Sequence, residues 1–217
     1  MVEKKGIELV NTSNNTEVSI TIGNTTLAHH GHPAGVRLEQ DMAYVYLALD
    51  TSASMEGIKL EQAKRGALIF GRDAFNKGYQ VGLISFSSSA KNVCTPTNDF
   101  KVFEKQIKGM QASGSTNMAV AIKMAHHHLD KKDKTQVIVI ATDGRPDNKR
   151  NTIKEAEKAK ADNIDIITIG TDDAEQDFLK KLATRAELGS KVTREVFSQA
   201  ISDASRLLPP PKSITRR

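Results

Sequence analysis

Asp50, Ser52 and Ser54 place one carboxylate and two hydroxyls at alternate positions of a short polar segment. The segment follows the apolar run 43–49, which is typical of a buried strand, and a helix is predicted over 57–77. Ligands of open α/β sheets bind at the carboxyl ends of the strands. Hard oxygen ligands suit Mg²⁺, Mn²⁺ or Ca²⁺ rather than zinc, so the segment indicates a divalent-cation site.

Two other polar segments supply similar oxygens. Thr116 lies in a loop that leads into a predicted helix over 117–130, and Asp143 follows the apolar run 136–141. If the strands 43–49 and 136–141 are neighbours where the strand order reverses, their loops meet in one crevice. Two carboxylates and three hydroxyls would then surround one cation, which could still accept an oxygen ligand from another molecule. These groups belong to Asp50, Ser52, Ser54, Thr116 and Asp143.

The elements that must position these residues alternate between strand and helix from residue 41 onward. The predicted strands are 43–49, 80–86, 91–94, 136–141 and 164–169. The predicted helices are 57–77, 100–110, 117–130, 151–161, 175–184 and 193–208. This alternation predicts an α/β fold with a doubly wound, mostly parallel central sheet and helices on both faces.

The chain ends differ in composition from this central part. Strands predicted over 7–10 and 17–22 form a short N-terminal β-hairpin extension that could add to the edge of the larger sheet, and 29–35 is predicted to be a loop. The predicted organisation is an N-terminal extension, a main domain and a proline-rich, basic C-terminal tail, over 1–40, 41–208 and 209–217.

Composition narrows the function classes. The chain has 217 residues, of which 38% are apolar, and no stretch approaches the roughly 18 apolar residues of a membrane span. The N-terminus lacks the apolar core of a signal peptide, and the single cysteine excludes an internal disulfide framework, so we expect a cytoplasmic protein without a membrane partner. Despite a net charge of +5, only 5% aromatic residues and no Trp argue against base stacking with nucleic acid.

The three separated motifs resemble the von Willebrand factor type A (VWA) domain, the family that includes integrin inserted domains. The metal-ion-dependent adhesion site of that family reads Asp-x-Ser-x-Ser, then Thr, then Asp. All its elements occur here in this order: Asp50, Ser52, Ser54, Thr116 and Asp143. The flanking residues Met55, Asn117 and Gly144 match as well, and the resemblance covers roughly 42–208 but not 1–40.

The resemblance implies a role for each residue. Ser52 and Ser54 would contact the metal through Oγ, and Thr116 would do so in the ligand-competent state. Asp50 and Asp143 would act mostly through bound water. The remaining coordination position would hold water in the free protein and a partner's carboxylate in the complex. Mg²⁺ keeps waters and suits this arrangement, with Mn²⁺ or Ca²⁺ as alternatives.

We therefore interpret the chain as a binding module without catalysis, which captures an Asp or Glu side chain of a protein partner through the bound cation. The loops near 55–57, 87–89 and 145–147 should set specificity. The resemblance suggests an intracellular multi-protein assembly, with AAA+ ATPases or kinases and phosphatases as partner classes. It also suggests that the last helix, 193–208, could shift on ligand binding.

Two other function classes remain open. The first is a Mg²⁺-dependent hydrolase or phosphatase that uses the same oxygen cluster. Haloacid-dehalogenase-like phosphatases need a second Asp two residues after the first, where Ser52 stands, and the chain has no nucleophile elbow or phosphate-binding glycine loop. The second is a nucleic-acid-associated module, which the positive charge would favour.

For the histidines and the cysteine of the chain, the sequence favours a structural role over metal binding or catalysis. The cluster His29, His30 and His32 has no Cys or acidic residue at metal-ligand spacing. The predicted helix 117–130 also contains His126, His127 and His128. Successive residues of a helix point in different directions, so a metal site made of all three is disfavoured. Cys94 is expected to be a small buried apolar residue rather than a nucleophile.

Overall fold

The computed structural model describes residues 7–12, 15–22, 25–30, 43–129 and 134–211. The chain divides into two compact units, Met1–Gln40 and Asp41–Arg217.

The first unit contains the predicted antiparallel hairpin and a third strand that was not predicted from the sequence. The strands are β1 (Ile7–Thr12), β2 (Asn15–Ile22) and β3 (Thr25–His30), with β2 in the centre. The prediction of a loop is therefore wrong for His29 and His30, while 31–35 lies outside the described residues. The strand β3 pairs antiparallel with β2 through its backbone, and this pairing does not require alternating apolar side chains, which β3 lacks. These three strands form a sheet with the order β1-β2-β3.

The second unit is a six-stranded sheet with the order β6-β5-β4-β7-β8-β9. Its strands are β4 (Ala43–Asp50), β5 (Tyr79–Phe86), β6 (Ala90–Thr97), β7 (Thr135–Thr142), β8 (Asp165–Gly170) and β9 (Gly189–Lys191). Neighbouring strands are parallel except for β5 and β6. The helices are α1 (Ile58–Asn76), α2 (Phe100–Lys108), α3 (Met118–His128), α4 (Lys149–Ala161), α5 (Gln176–Leu182) and α6 (Phe197–Leu207). The predicted doubly wound, mostly parallel sheet is confirmed.

Helices cover both faces of this sheet, and β4 contributes to both layers. Val45, Leu47 and Leu49 belong to a core cluster on the side of α1, α2 and α6. The alternate residues Tyr46 and Ala48 belong to the cluster on the side of α3, α4 and α5. Since successive side chains of a strand point to opposite faces, an almost wholly apolar β4 is what a sheet covered on both sides requires.

The strand order reverses at β4, which pairs with β5 on one side and β7 on the other. In this register Leu49 lies opposite both Ser85 and Ala141, so the carboxyl ends of the three strands are level. Asp50 ends β4 at this point. The expected neighbourhood of the two strands is therefore confirmed, and it creates the crevice in which open α/β sheets bind ligands.

The sequence patterns missed the short strand β9 and placed the start of the last helix too early. A single 3₁₀ turn, Arg194–Val196, precedes α6. After α6, the Tyr79 hydroxyl donates a hydrogen bond to the Pro209 carbonyl, and Thr135 Oγ1 donates one of 3.3 Å to the Pro210 carbonyl. The described part of the proline segment thus crosses the amino ends of β5 and β7. No described helix has the length and apolarity needed to cross a membrane.

Candidate metal centre

Three loops at the carboxyl edge of the sheet are joined by backbone hydrogen bonds. The Ala53 amide, in the loop after β4, donates to the Gly114 carbonyl at 2.9 Å, in the loop before α3. The Asp147 amide, in the loop after β7, donates to the Thr116 carbonyl at 2.9 Å. The topology thus brings together the three motifs that carry the predicted metal ligands.

Asp50 is a buried carboxylate at the end of β4, with no exposed surface. Its Oδ1 accepts a hydrogen bond of 2.8 Å from the Ser52 amide, and its Oδ2 accepts one of 2.6 Å from Thr142 Oγ1. Burial raises the pKa of Asp50 to about 6, against the opposing effect of hydrogen bonds from Thr142 and Ser52. Among the described residues, Asp50 forms no ion pair. A cation that binds beside this buried carboxylate would therefore stabilise its ionised form.

The two serines connect this segment to β7. Ser52 Oγ and Ser54 Oγ are 3.0 Å apart and share a hydrogen bond. Ser54 Oγ donates to Asp143 Oδ1 at 2.8 Å, across 89 residues of sequence. Ser54 is exposed, whereas Asp143 is buried. The hydroxyls and carboxylates therefore form one continuous run that reaches the surface at Ser54.

Thr116 lies beside the loop that carries Asp143. Its Oγ1 would be 3.7 Å from a Cβ placed on Gly144. Asp147 holds the Thr116 segment in position, because its Oδ1 accepts from the Thr116 amide at 3.2 Å and its Oδ2 accepts from Ser115 Oγ at 2.7 Å. Asp147 was predicted only as part of a specificity loop, and in the structure it acts as a positioning residue.

Sequence reasoning missed three charged residues next to the cluster. The Lys59 ammonium pairs with Asp143 Oδ2 and, at 3.2 Å, with Asp172 Oδ2. Arg194 Nη2 also donates to Asp172 Oδ2, at 2.8 Å. The pKa of Asp172 is lowered by Arg194 first and then by Lys59. Burial acts to lower the pKa of Lys59, but the ion pairs with Asp143 and Asp172 outweigh it and raise that pKa.

One signal could have found Asp172, because it follows the carboxyl end of β8 as Asp143 follows that of β7. Nothing in the sequence pattern distinguishes Lys59 from the other cations of α1, and Arg194 enters through a 3₁₀ turn that no periodicity marks. Lys59 and Arg194 are recognised as neighbours of the cluster only from the tertiary structure.

The donor set fits a hard divalent cation. Asp50, Ser52, Ser54 and Asp143 form one hydrogen-bonded cluster, with Thr116 next to it, and every candidate ligand atom is oxygen. Oxygen ligands with few carboxylates are the usual surroundings of Mg²⁺, which keeps part of its water shell. The arrangement has no sulfur or imidazole ligand of the kind that selects zinc or copper.

The remaining candidates do not converge within the described part of the chain. His126 pairs with Asp162 and His128 with Asn92, and no group of three or more His, Cys, Asp or Glu side chains there could hold a metal. Burial raises the pKa of Cys94, which favours the unreactive thiol. His29 and His30 belong to β3, whose side chains are not described, and His32 lies outside the described residues.

Solved structures of low sequence identity share this fold. The von Willebrand factor domain of Mfa5, a type V pili tip protein from Porphyromonas gingivalis, matches with a TM-score of 0.68 and 14% identity, over 80% of this chain and 98% of that one. The pilus adhesin SpaC from Lactobacillus rhamnosus GG matches with a TM-score of 0.69 and 13% identity, over 94% of this chain and 34% of SpaC. BatB from Bacteroides thetaiotaomicron matches with a TM-score of 0.59 and 18% identity, over 76% of this chain and 99% of BatB.

At such identities these similarities show the fold and nothing further. No curated protein sequence matches the chain. The sequence model of the von Willebrand factor type A domain, in contrast, matches residues 45–205, which include most of β4, all of β7 and the three loops of the oxygen cluster. Because this match spans most of the chain, the protein belongs to the von Willebrand factor type A domain family.

Proposed function

We propose that this domain is a protein-binding module whose partner binding depends on a divalent cation, most simply Mg²⁺. The observation that supports the proposal best is the hydrogen bond of 2.8 Å between Ser54 Oγ and Asp143 Oδ1. It joins the oxygens of two strand ends at the switch point of the sheet, where this fold class binds ligands. VWA domains are typically interaction modules, which agrees with this role.

The hydroxyl and carboxylate residues of the cluster would have different roles in binding the cation. The hydroxyls of Ser52, Ser54 and Thr116 are neutral oxygen ligands, while Asp50 and Asp143 supply two negative charges and accept hydrogen bonds from the ligands around them. A bound cation supplies a Lewis-acidic position for a carboxylate oxygen from outside. The two carboxylates of the cluster balance the charge of a divalent ion, and an Asp or Glu side chain of a partner protein would occupy the remaining coordination position.

The surface around the cluster supports a partner of mixed polar and apolar character. Ile58 starts α1 next to the cluster and is 72% exposed, so it offers an apolar contact beside the polar groups. On another side, Ser88 Oγ accepts a hydrogen bond of 3.0 Å from the Ser115 amide, so the loop 87–89 is tied to the Thr116 segment. We infer that these loops select the partner once its carboxylate is bound.

The cellular setting is also part of the proposal. Mfa5 and SpaC are a pili tip protein and a pilus adhesin. The cytoplasmic, intracellular assembly with AAA+ ATPases or kinases and phosphatases that the sequence suggested stays a prediction for this chain.

Calorimetric titration with MgCl₂ tests the site directly. Ser52→Ala and Asp143→Ala should each weaken Mg²⁺ binding by about tenfold or more, since each removes one ligand or charge. Asp162→Ala, which removes an exposed carboxylate paired with His126 and not with the cluster, is the control and should bind Mg²⁺ as the wild type does. Circular dichroism would establish that all variants fold. Unchanged Mg²⁺ binding in both site variants would contradict the proposal.

The partner-binding step needs its own test. Proteins that are retained from native extract with Mg²⁺, released by EDTA and absent with Asp143→Ala would support a metal-dependent partner. Retention that survives both EDTA and Asp143→Ala would show that partner binding does not use this cluster.

A further inference from the structure

We propose that Lys59 is a built-in competitor of the divalent cation, which pairs with Asp143 when no metal is bound and thereby limits the metal affinity of the cluster. This inference rests on the proposed function, because it assumes that the oxygen cluster binds a metal.

The position of Lys59 is the first argument. It is the second residue of α1, and a lysine at an exposed helix start can extend into water. Instead, its side chain is only 15% exposed and its ammonium lies against Asp143 Oδ2. Asp143 Oδ1 accepts from Ser54 Oγ at 2.8 Å. Each oxygen of this buried carboxylate thus already has a partner in the chain, so a cation that approaches Asp143 meets the positive charge of the ammonium.

The charges of the cluster give the second argument. The charged groups of the site are three carboxylates and two cations. Asp143, Asp172, Lys59 and Arg194 are joined by ion pairs, and Asp50 is linked to Asp143 through Ser52 and Ser54. The formal charges of these groups sum to −3 + 2 = −1, so a divalent ion brings the cluster to +1. Without Lys59 the sum would be −2, and the same ion would bring it to zero. The lysine therefore weakens the attraction for the metal and leaves the loaded cluster with a positive charge that favours an anionic partner group.

Asp172 offers the ammonium a second position. Its Oδ2 is 3.2 Å from Lys59 Nζ, and Arg194 holds the same carboxylate from the other side at 2.8 Å. Lys59 can therefore stay paired with Asp172 when Asp143 turns to a metal. Asp172 is 21% exposed, so this second ion pair is partly solvated and the exchange does not leave a charge buried without a partner.

Calorimetric titration with MgCl₂ alone, in chelator-treated buffer, tests the inference. Lys59→Met keeps the length of the side chain and removes its charge, and we expect about tenfold tighter Mg²⁺ binding than in the wild type. Lys64→Met is the matched control, because Lys64 lies on the same helix, is 14% exposed and pairs with Glu61 instead of Asp143. It should leave Mg²⁺ affinity unchanged. Equal or weaker Mg²⁺ binding by Lys59→Met than by the wild type would overturn the inference.

A second variant separates loss of folding from loss of the effect. Lys59→Gln retains a hydrogen-bond donor, and thermal melting in EDTA would identify whichever of the two variants is folded for titration. Normal Mg²⁺ binding by the wild type without tighter binding by the folded variant overturns the role of Lys59 alone. If neither the wild type nor the folded variant binds Mg²⁺, the proposed metal-dependent function fails, and the inference fails with it.

Discussion

Thr142 Oγ1 donates a hydrogen bond of 2.6 Å to Asp50 Oδ2, and both residues are fully buried. They are the last residues of β7 and β4, which are neighbours in the sheet. The hydrogen bond that orients this oxygen of the carboxylate is therefore made within the sheet and does not depend on a loop. This relationship makes the hydroxyl of Thr142 a positioning group for Asp50.

Thr142→Val should destabilise both the fold and metal binding, because it removes the hydroxyl while keeping the shape of the side chain. Leaving a buried carboxylate oxygen without its donor should lower the free energy of unfolding by about 1–3 kcal/mol. Mg²⁺ binding should weaken as well. Thr168→Val is the control, since Thr168 Oγ1 donates to the Leu179 carbonyl at 2.9 Å. It should cost stability without changing Mg²⁺ affinity, and equal effects of the two variants on Mg²⁺ affinity would contradict this assignment.

Asp50 should also make the metal-free protein more stable in mild acid. Its pKa is raised from 3.8 to about 6 by burial, so the folded state takes up a proton at a higher pH than the unfolded state does. A raised folded pKa means that stability increases as the pH falls through about 6. Between pH 7.5 and pH 5.0 this group alone should add about 1 kcal/mol.

Urea unfolding in EDTA at these two pH values measures that effect. The gain in acid should be smaller by this amount in Asp50→Asn than in the wild type, because the other titrating groups are common to both. Saturating Mg²⁺ should reduce the gain in the wild type, since a cation favours the ionised carboxylate. Identical pH dependence of the wild type and Asp50→Asn in EDTA would show that Asp50 titrates normally.

Most of the fold of the main domain could be predicted from the sequence. The strands β4 and β7 are continuous apolar runs, and the helices between strands show helical spacing, which together require a parallel sheet covered on both faces. The strand β3 was missed because its residues lack alternation and it forms by backbone pairing with β2. The strand β9 was missed because three residues carry no period.

The candidate site was predictable for a different reason. Two of its carboxylates, Asp50 and Asp143, come directly after or shortly after apolar runs, and the end of such a run marks the carboxyl end of a strand in the sequence. The residues that tune the site come from other places: Lys59 from the first turn of a helix, Arg194 from a 3₁₀ turn and Asp147 from a loop. Their roles follow from the way chain segments meet, which local pattern does not encode.

Asp147→Ala should weaken Mg²⁺ binding although the residue is not a candidate ligand. Asp147 accepts hydrogen bonds from the Thr116 amide and Ser115 Oγ, so its loss should release the segment that carries the Thr116 hydroxyl. We expect about tenfold weaker Mg²⁺ binding by calorimetry and less than about 1 kcal/mol lost in urea unfolding. Asp162→Ala, which removes an exposed aspartate paired with His126, should leave Mg²⁺ binding unchanged. Equal Mg²⁺ affinities of the two variants would remove Asp147 from the site.

The proline segment after α6 should contribute to stability through its carbonyls. A chain ending at Pro211 keeps the hydrogen bonds from Tyr79 to Pro209 and from Thr135 to Pro210, whereas one ending at Leu208 loses both. We expect the shorter chain to unfold about 1–3 kcal/mol more easily in urea. Tyr79→Phe should then destabilise the longer chain but have little effect on the shorter one, because the acceptor is already absent there. If Tyr79→Phe destabilises both chains equally, the hydroxyl acts through some other contact and the proline segment does not stabilise the amino edge of the sheet.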